Sequence, residues 1–362
     1  MEMELNLNQI YPHSPYRSSS SSQNHQLNIN AKSYMSPKLY NKIKTQNSPI
    51  NSQFQQSNRI VEVYSDNFIK EIKRIGDYLK SYPFIGMDTE FPGIVYPCPS
   101  YSQDFYYKFT KANVDKLKLI QIGITLTNDK GECPPLISTW QFNLKFDVEK
   151  DKHSFDSISL LMECGIDFDV LKKRGIAYNL FAEYFLVSGL VLNDNVTWIS
   201  FNGISDFCYM LRLVLNDDLP NEELDFLQTL KIYFPNLYDI KYLIKDNENY
   251  KGGLNKLAKE LNVERTGEKH QAGSDSILTI DVFFKLIKNN DINKTDLLNG
   301  KNVIFGVGKG TDIKETINYT QFAQGVDVGF YLQDINKKKI MILFIIIIII
   351  FLFNSLYIYF WV

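Results

Sequence analysis

Three separated stretches carry side chains that could do chemistry together: Asp88 with Glu90, Asp206, and His270 with Asp275. The first pair closes Phe84-Ile85-Gly86-Met87-Asp88-Thr89-Glu90, an apolar run that ends in the turn residues Pro92-Gly93. Side chains alternate along a strand, so both carboxylates point to one side. Adjacent carboxylates repel unless a cation sits between them, so the pair reads as half of a metal site. Asp206 follows the strand-like Val196–Phe201 and opens a run with Phe207, Met210, Leu211, Val214 and Leu215 at helical spacing. Asp275 lies in a mostly apolar helical run, where a lone carboxylate would be costly and one facing a metal would not. His270, five residues earlier, is of the type that activates water near neutral pH. Taken alone it would suit a surface or structural role; its place beside the fourth acid favours the catalytic one.

Oxygen donors without clustered Cys or His suit Mg2+ or Mn2+ rather than zinc. Four carboxylates can hold two such cations roughly 3.5–4 Å apart, an arrangement for in-line displacement at a phosphodiester. An acid-x-acid pair is a weak signal by itself. Asp246-Asn247-Glu248 is another, but no apolar strand leads into it, and 41 acidic residues make such pairs common. The competing reading of each acid taken singly is a surface or capping carboxylate.

The elements that would position these groups follow from periodicity. Order begins near Arg59–Val63, followed by a helix over 66–81 with Asp66 as its cap. A strand ends at Asp88 and Glu90, an aromatic-rich loop covers Val95–Thr110, and strands cover Leu117–Thr127 and Ile137–Phe146. These three strands read as a consecutive meander. Helices are predicted over Ser154–Cys164, Phe168–Arg174 and Asn179–Val187, then a strand at Val196–Phe201 and the helix of Asp206. A helix over Glu222–Tyr233, a strand over Asp239–Ile244, and helices over Leu254–Leu261 and Ala272–Lys288 complete the pattern. This is an α/β fold, a mixed sheet with helices on both faces.

With 44% hydrophobic residues, the 362-residue chain can bury a sizeable core. A formal charge of -2 gives no global basic field, so a polyanionic substrate would have to be attracted by metal ions and a local patch. Cys98, Cys133, Cys164 and Cys208 form no Cys-x-x-Cys pair and read as buried thiols of a reducing compartment. The acidic start Met1–Glu4 lacks the apolar core of a secretory signal. Residues 1–58 are polar and rich in Ser, Asn and Gln, the composition of a disordered tail. Gly306–Thr311 lacks the spacing of a phosphate-binding loop. Residues 311–339 read as a linker ending in Lys337-Lys338-Lys339, and the charge-free 340–362 includes six consecutive isoleucines. Its length and flanks fit a tail anchor with membrane contact. An aggregating strand and translated AT-rich non-coding sequence are the competing readings.

Longer stretches resemble the Caf-one/Pop-two deadenylase family, within the histidine subclass of DEDD exonucleases. They are Met87–Gly93, Pro134-Pro135 with Ser138–Phe142, Tyr238–Leu243 with Lys251–Leu254, and Arg265-Thr266-Gly267 with His270–Ser276. The likeness covers about Arg59 to Gly310. It implies a ribonuclease-H-like fold and removal of mRNA poly(A) from the 3′ end, with release of 5′-AMP. It also implies Asp88, Glu90, Asp206 and Asp275 as ligands of two divalent cations, and His270 as the group that orients or deprotonates the attacking water. The implied partners are the Not scaffold and the Ccr-four-type nuclease of the deadenylase complex, in cytoplasm and nucleus. One departure falls at the third acid, where the family pattern Phe-His-Ser-Gly-Tyr-Asp is replaced by Phe201-Asn202-Gly203-Ile204-Ser205-Asp206. Two other functions compete: a catalytically weak scaffold subunit, which would have no use for these acids in one place, and a DNA or structured-RNA exonuclease on the same fold.

Overall fold

A computed structural model describes residues 59–96 and 104–308. The segments 1–58, 311–339 and 340–362 lie outside the described residues. Among the described residues, no helix is long and apolar enough to cross a membrane.

Six strands form one mixed sheet: β1 (Ile60–Val63), β2 (Phe84–Glu90), β3 (Gln121–Thr127), β4 (Thr139–Asn143), β5 (Thr197–Ser200) and β6 (Leu237–Asp239), in the order β1-β4-β3-β2-β5-β6. The expected meander is β2-β3-β4, antiparallel throughout. β5 adds to β2 in parallel and β6 to β5, while β1 pairs in parallel with β4 at the other edge. Every residue of β3 is buried, as expected for a central strand covered on both faces.

One face carries helix α10 (Ala272–Lys288), which packs across β2, β3, β4 and β5. Its apolar residues Leu278, Ile280, Phe283 and Leu286 join Ile199 and Ile240 in one core cluster. The other face buries Ile85, Met87, Ile122, Ile124, Trp140 and Phe142. Against it lie α1 (Phe68–Tyr78), α5 (Tyr178–Val187) and α6 (Ile204–Leu215). Helix α3 (Phe155–Glu163) starts where Ser154 was expected to cap it, with the Ser154 side chain accepting from Ser157 N. Helices α4 (Phe168–Arg174), α7 (Glu223–Tyr233) and α9 (Leu254–Glu260) also match their sequence patterns.

Four expectations need correction. The segment Val95–Thr110 is not all loop: α2 spans Phe105–Val114, and its aromatic residues recur on several sides, which hid the helical period. The strand expected over Asp239–Ile244 stops at Asp239, and a helical turn, α8 (Ile240–Leu243), follows. The Asp239 side chain caps that turn by accepting from Lys241 N. Of the described thiols only Cys208 is buried; Cys133 and Cys164 are partly exposed, and Cys98 lies outside the described residues. Asp66 pairs with Arg174 at 3.0 Å instead of capping α1. A further short helix, α11 (Lys294–Gly300), had no expectation attached. Gly308, in the phosphate-loop-like stretch, donates its N–H to Glu223, while 309–311 lie outside the described residues.

Candidate active site

Asp88 and Glu90 stand at the end of β2 on the face covered by α10. Gly86, two residues before Asp88, and Gly123, its cross-strand partner, leave room there for the backbone of that helix. A Cβ on Gly123 would lie 1.8 Å from the carbonyl oxygen of Ala272. The absence of side chains at Gly123 and Gly86 therefore lets the first turn of α10 and the residues Ser276 to Ile280 rest on the strands, and it brings Asp275 to β2. Carboxylate oxygens of Asp88, Glu90 and Asp275 all lie within 4.8 Å of one another.

Asp206 arrives from the opposite side. It sits in the first turn of α6, and its Oδ1 accepts a 2.6 Å hydrogen bond from Thr89 Oγ1. Thr89 lies between the two acids of β2 and points away from them. The structure thus brings three of the expected acids into one cluster and sets the fourth beside it. His270 precedes α10 in a left-handed conformation (φ +56°), half-buried. Its backbone N–H donates to Asp275 Oδ2 at 2.9 Å.

The electrostatics are those of concentrated negative charge. Desolvation, then the charges of Asp275, Asp206 and Glu90, hold the Asp88 carboxyl well above its usual pKa, and Arg265 opposes the shift. Glu90 is raised well above its usual value by desolvation and by Asp275 and Asp206, again against Arg265. Asp206 is pushed up to about 7 by burial, with the Thr89 hydrogen bond acting the other way. Such a site gains from a bound cation. Its donors are all hard carboxylate oxygens, which fit Mg2+ or Mn2+.

Several residues of the site were not singled out by sequence reasoning. Arg265 Nη2 donates to Asp275 Oδ1 at 2.6 Å, and Nη1 to Ser274 Oγ at 2.9 Å. Its stretch resembles the family, but no spacing rule pairs a loop arginine with an acid ten residues on. Asp239 accepts from four backbone N–H groups, those of Asn202 and Lys241 at Oδ1 and of Gly203 and Phe305 at Oδ2. It thereby pins the turn that leads into α6. This gives the Asn202-Gly203 departure a physical account. Asn202 takes a left-handed φ of +58°, which Asn tolerates better than most residues, and a side chain on Gly203 would collide with Ser200 Oγ.

A model of the CAF1 family ribonuclease matches residues 63–188 and 184–283. The chain belongs to the CAF1 ribonuclease family. It is 43% identical over 234 residues to the poly(A) ribonuclease pop2 of Schizosaccharomyces pombe, covering 64% of this chain and 70% of that relative. Among solved structures it resembles S. pombe Pop2p in its Mg2+- and Mn2+-bound form, with a TM-score of 0.65 and 40% identity, covering 68% of this chain and 99% of the other. It also resembles yeast CAF1 co-crystallised with the NOT1 MIF4G domain, with a TM-score of 0.59 and 28% identity, covering 71% and 100% of the two chains. The stretch that holds all five candidate residues, 88 to 275, falls within the CAF1 family match.

Proposed function

We propose that this chain is a metal-dependent, poly(A)-specific 3′-to-5′ exoribonuclease that shortens mRNA tails and releases 5′-AMP. The observation that carries the reading is the convergence of Asp88, Glu90 and Asp275 within 4.8 Å, in a chain of the CAF1 ribonuclease family. These three acids, with Asp206, are assigned as the groups that hold two divalent cations, Mg2+ or Mn2+. Cations bound there supply charge stabilisation at the phosphate and lower the pKa of the attacking water.

The chain's own residues do the rest. Thr89 fixes one oxygen of Asp206, and Arg265 with the His270 N–H fixes both oxygens of Asp275, so the acids are held before substrate arrives. His270 is assigned to orient the attacking water and accept its proton on a ring nitrogen. The water oxygen bonds to phosphorus as the bond to the preceding 3′ oxygen breaks. The terminal nucleotide leaves as 5′-AMP, and the shortened strand gains a 3′-hydroxyl whose proton comes from solvent. The partners that go with this role are the Not scaffold, seen bound to CAF1 in yeast, and a Ccr-four-type nuclease. Work in the cytoplasm and nucleus follows from the same reading.

Incubation with Mg2+ or Mn2+ and an end-labelled RNA carrying a 3′ poly(A) tail tests the assignment. Stepwise shortening is expected, and it should disappear in Asp88→Ala and Asp275→Ala. A folded, metal-supplied wild-type protein that leaves the tail intact rejects the assignment. Fractionation of full-length protein against a 1–336 truncation tests membrane contact through 340–362; equal solubility rejects it.

A further inference from the structure

Helix α10 starts without a cap of its own, for the Gln271 side chain bonds none of the helix's first N–H groups. The sheet meets them instead. Ala272 N donates to Gln121 Oε1 at 3.3 Å, and Gly273 N to Gln141 Oε1 at 2.8 Å. The Gln271 carboxamide lies in the same layer. Its oxygen accepts from Nε2 of Gln141 (2.8 Å) and of Gln121 (3.3 Å), and its nitrogen donates to the Cys164 carbonyl (2.8 Å). Gln141 Nε2 also donates to Glu62 Oε1 (2.9 Å), Gln121 Nε2 to Asn143 Oδ1 (2.8 Å), and Asn143 Nδ2 to Glu62 Oε2 (2.7 Å).

The direction of every amide in this ladder agrees with one charge at its edge and with the helix N–H groups it meets. A carboxylate offers acceptors only, so Glu62 requires the NH2 groups of both Gln141 and Asn143. With its NH2 facing Glu62, Gln141 must turn its oxygen toward Gly273, and Asn143 must turn its oxygen toward Gln121. That consumes one hydrogen of the Gln121 NH2 and aims the Gln121 oxygen at Ala272. The remaining hydrogens of Gln121 and Gln141 meet the Gln271 oxygen, which leaves the Gln271 nitrogen for Cys164. Glu62 lies on β1, at the exposed edge of the sheet. The turn it orients is flanked by His270 and Asp275.

We propose that Glu62, acting through Gln141 and Gln121, is a positioning residue of the active site. Its charge sets the polarity of the amide ladder that seats the first turn of α10, and with it His270 and Asp275. The proposal rests on the roles assigned to those two residues above.

Glu62→Gln is the decisive variant. It keeps the shape but presents an NH2 to the NH2 of Gln141 or Asn143, so an amide must flip and a donor then faces the helix N–H groups. Gln141→Met removes the acceptor for Gly273 at similar volume. In both full-length variants, hydrogen exchange at the Ala272 and Gly273 amides is expected to speed up about tenfold or more while the middle of α10 stays protected. On a poly(A) RNA, kcat is expected to fall about tenfold, with KM within about twofold of wild type. Glu71→Gln serves as the control. Glu71 is a buried carboxylate on the opposite sheet face, bonded by Trp140 Nε1 (3.0 Å) and Arg74 Nη1 (2.9 Å), and its variant should keep wild-type kcat per folded molecule. Unchanged exchange at Ala272 and Gly273 in both variants overturns the proposal, as does a kcat loss no larger than in Glu71→Gln. If the wild type cleaves no poly(A), the proposed function fails, and the exchange measurement still reads the ladder by itself.

Discussion

Gly123→Ala should disable the enzyme while changing a single methyl group. The Cβ would stand 1.8 Å from the Ala272 carbonyl oxygen, 2.1 Å from its carbon and 2.6 Å from Gly273 N, all backbone atoms that no rotamer change can move. Real Cβ atoms essentially never come closer than 3.0 Å, so helix and strand must part by at least 1.2 Å, the difference between 3.0 and 1.8. That displacement falls on the turn between His270 and Asp275. A misplacement of about 1 Å can cost on the order of 100-fold in rate, and overpacking of this kind costs about 1–3 kcal/mol. At roughly 2–4 °C per kcal/mol for a domain of this size, Tm should fall by about 2–12 °C. The assay is single-turnover shortening of a labelled poly(A) RNA at saturating divalent cation, beside a thermal melt. Gly86→Ala provides the gradient: its Cβ would lie 2.6 Å from the Ser276 carbonyl oxygen and 2.7 Å from Ile280 Cβ, a milder clash further from the site. It should melt earlier but lose less activity than Gly123→Ala. A Gly123→Ala protein with kcat within about threefold of wild type would refute the claim that this contact sets the site geometry.

Other outcomes follow from the site's charges and anchors. Asp206, its pKa pushed by burial from the usual 3.8 up to about 7, binds a proton more tightly folded than unfolded. In divalent-free buffer, stability should therefore fall as pH rises through about 4 to 7, and the gain in Tm on adding Mn2+ should be larger near pH 8 than near pH 5. An equal gain at both pH values would contradict the raised pKa. Arg265→Lys keeps a charge but loses the fork that joins Asp275 to Ser274, so the Mn2+ concentration giving half-maximal activity should rise about tenfold or more; a metal titration checks it. Asp239→Asn must turn an NH2 toward backbone N–H groups now held by the carboxylate. It should cost about 3 kcal/mol, read as a drop in the denaturant midpoint.

The strands and helices that carry the acids were legible because their signals are local. An apolar run ends at Asp88 and Glu90, Ser154 caps a helix that stops before Gly165, and Ala272–Lys288 is a long, mostly apolar run. What escaped was set by partners distant in sequence. β1 is four residues long and is defined by pairing with β4 some eighty residues later. The strand expected over Asp239–Ile244 is a helical turn after its first residue, because Asp239 turns its side chain back to cap the residues that follow. At the site, spacing could suggest which acids belong together, but not that Asp206 would stand beside the other three, turned to Thr89. The partners of Arg265 and Asp239 are equally invisible to periodicity, since loop hydrogen bonds leave no repeating pattern.

The seating of α10 has a consequence for how the enzyme comes into being. The acids of β2 are synthesised early, Asp206 midway, and Asp275 only with the helix that rests on Gly86 and Gly123. Domains generally fold as units, so a chain stalled before His270 carries two or three of the carboxylates, without Asp275 and without the histidine. Arrested products of this length are therefore inert toward the polyadenylated message from which they are being made. On this geometry the nuclease is complete only once the chain has been made through Asp275, which is nearly all of its α/β unit.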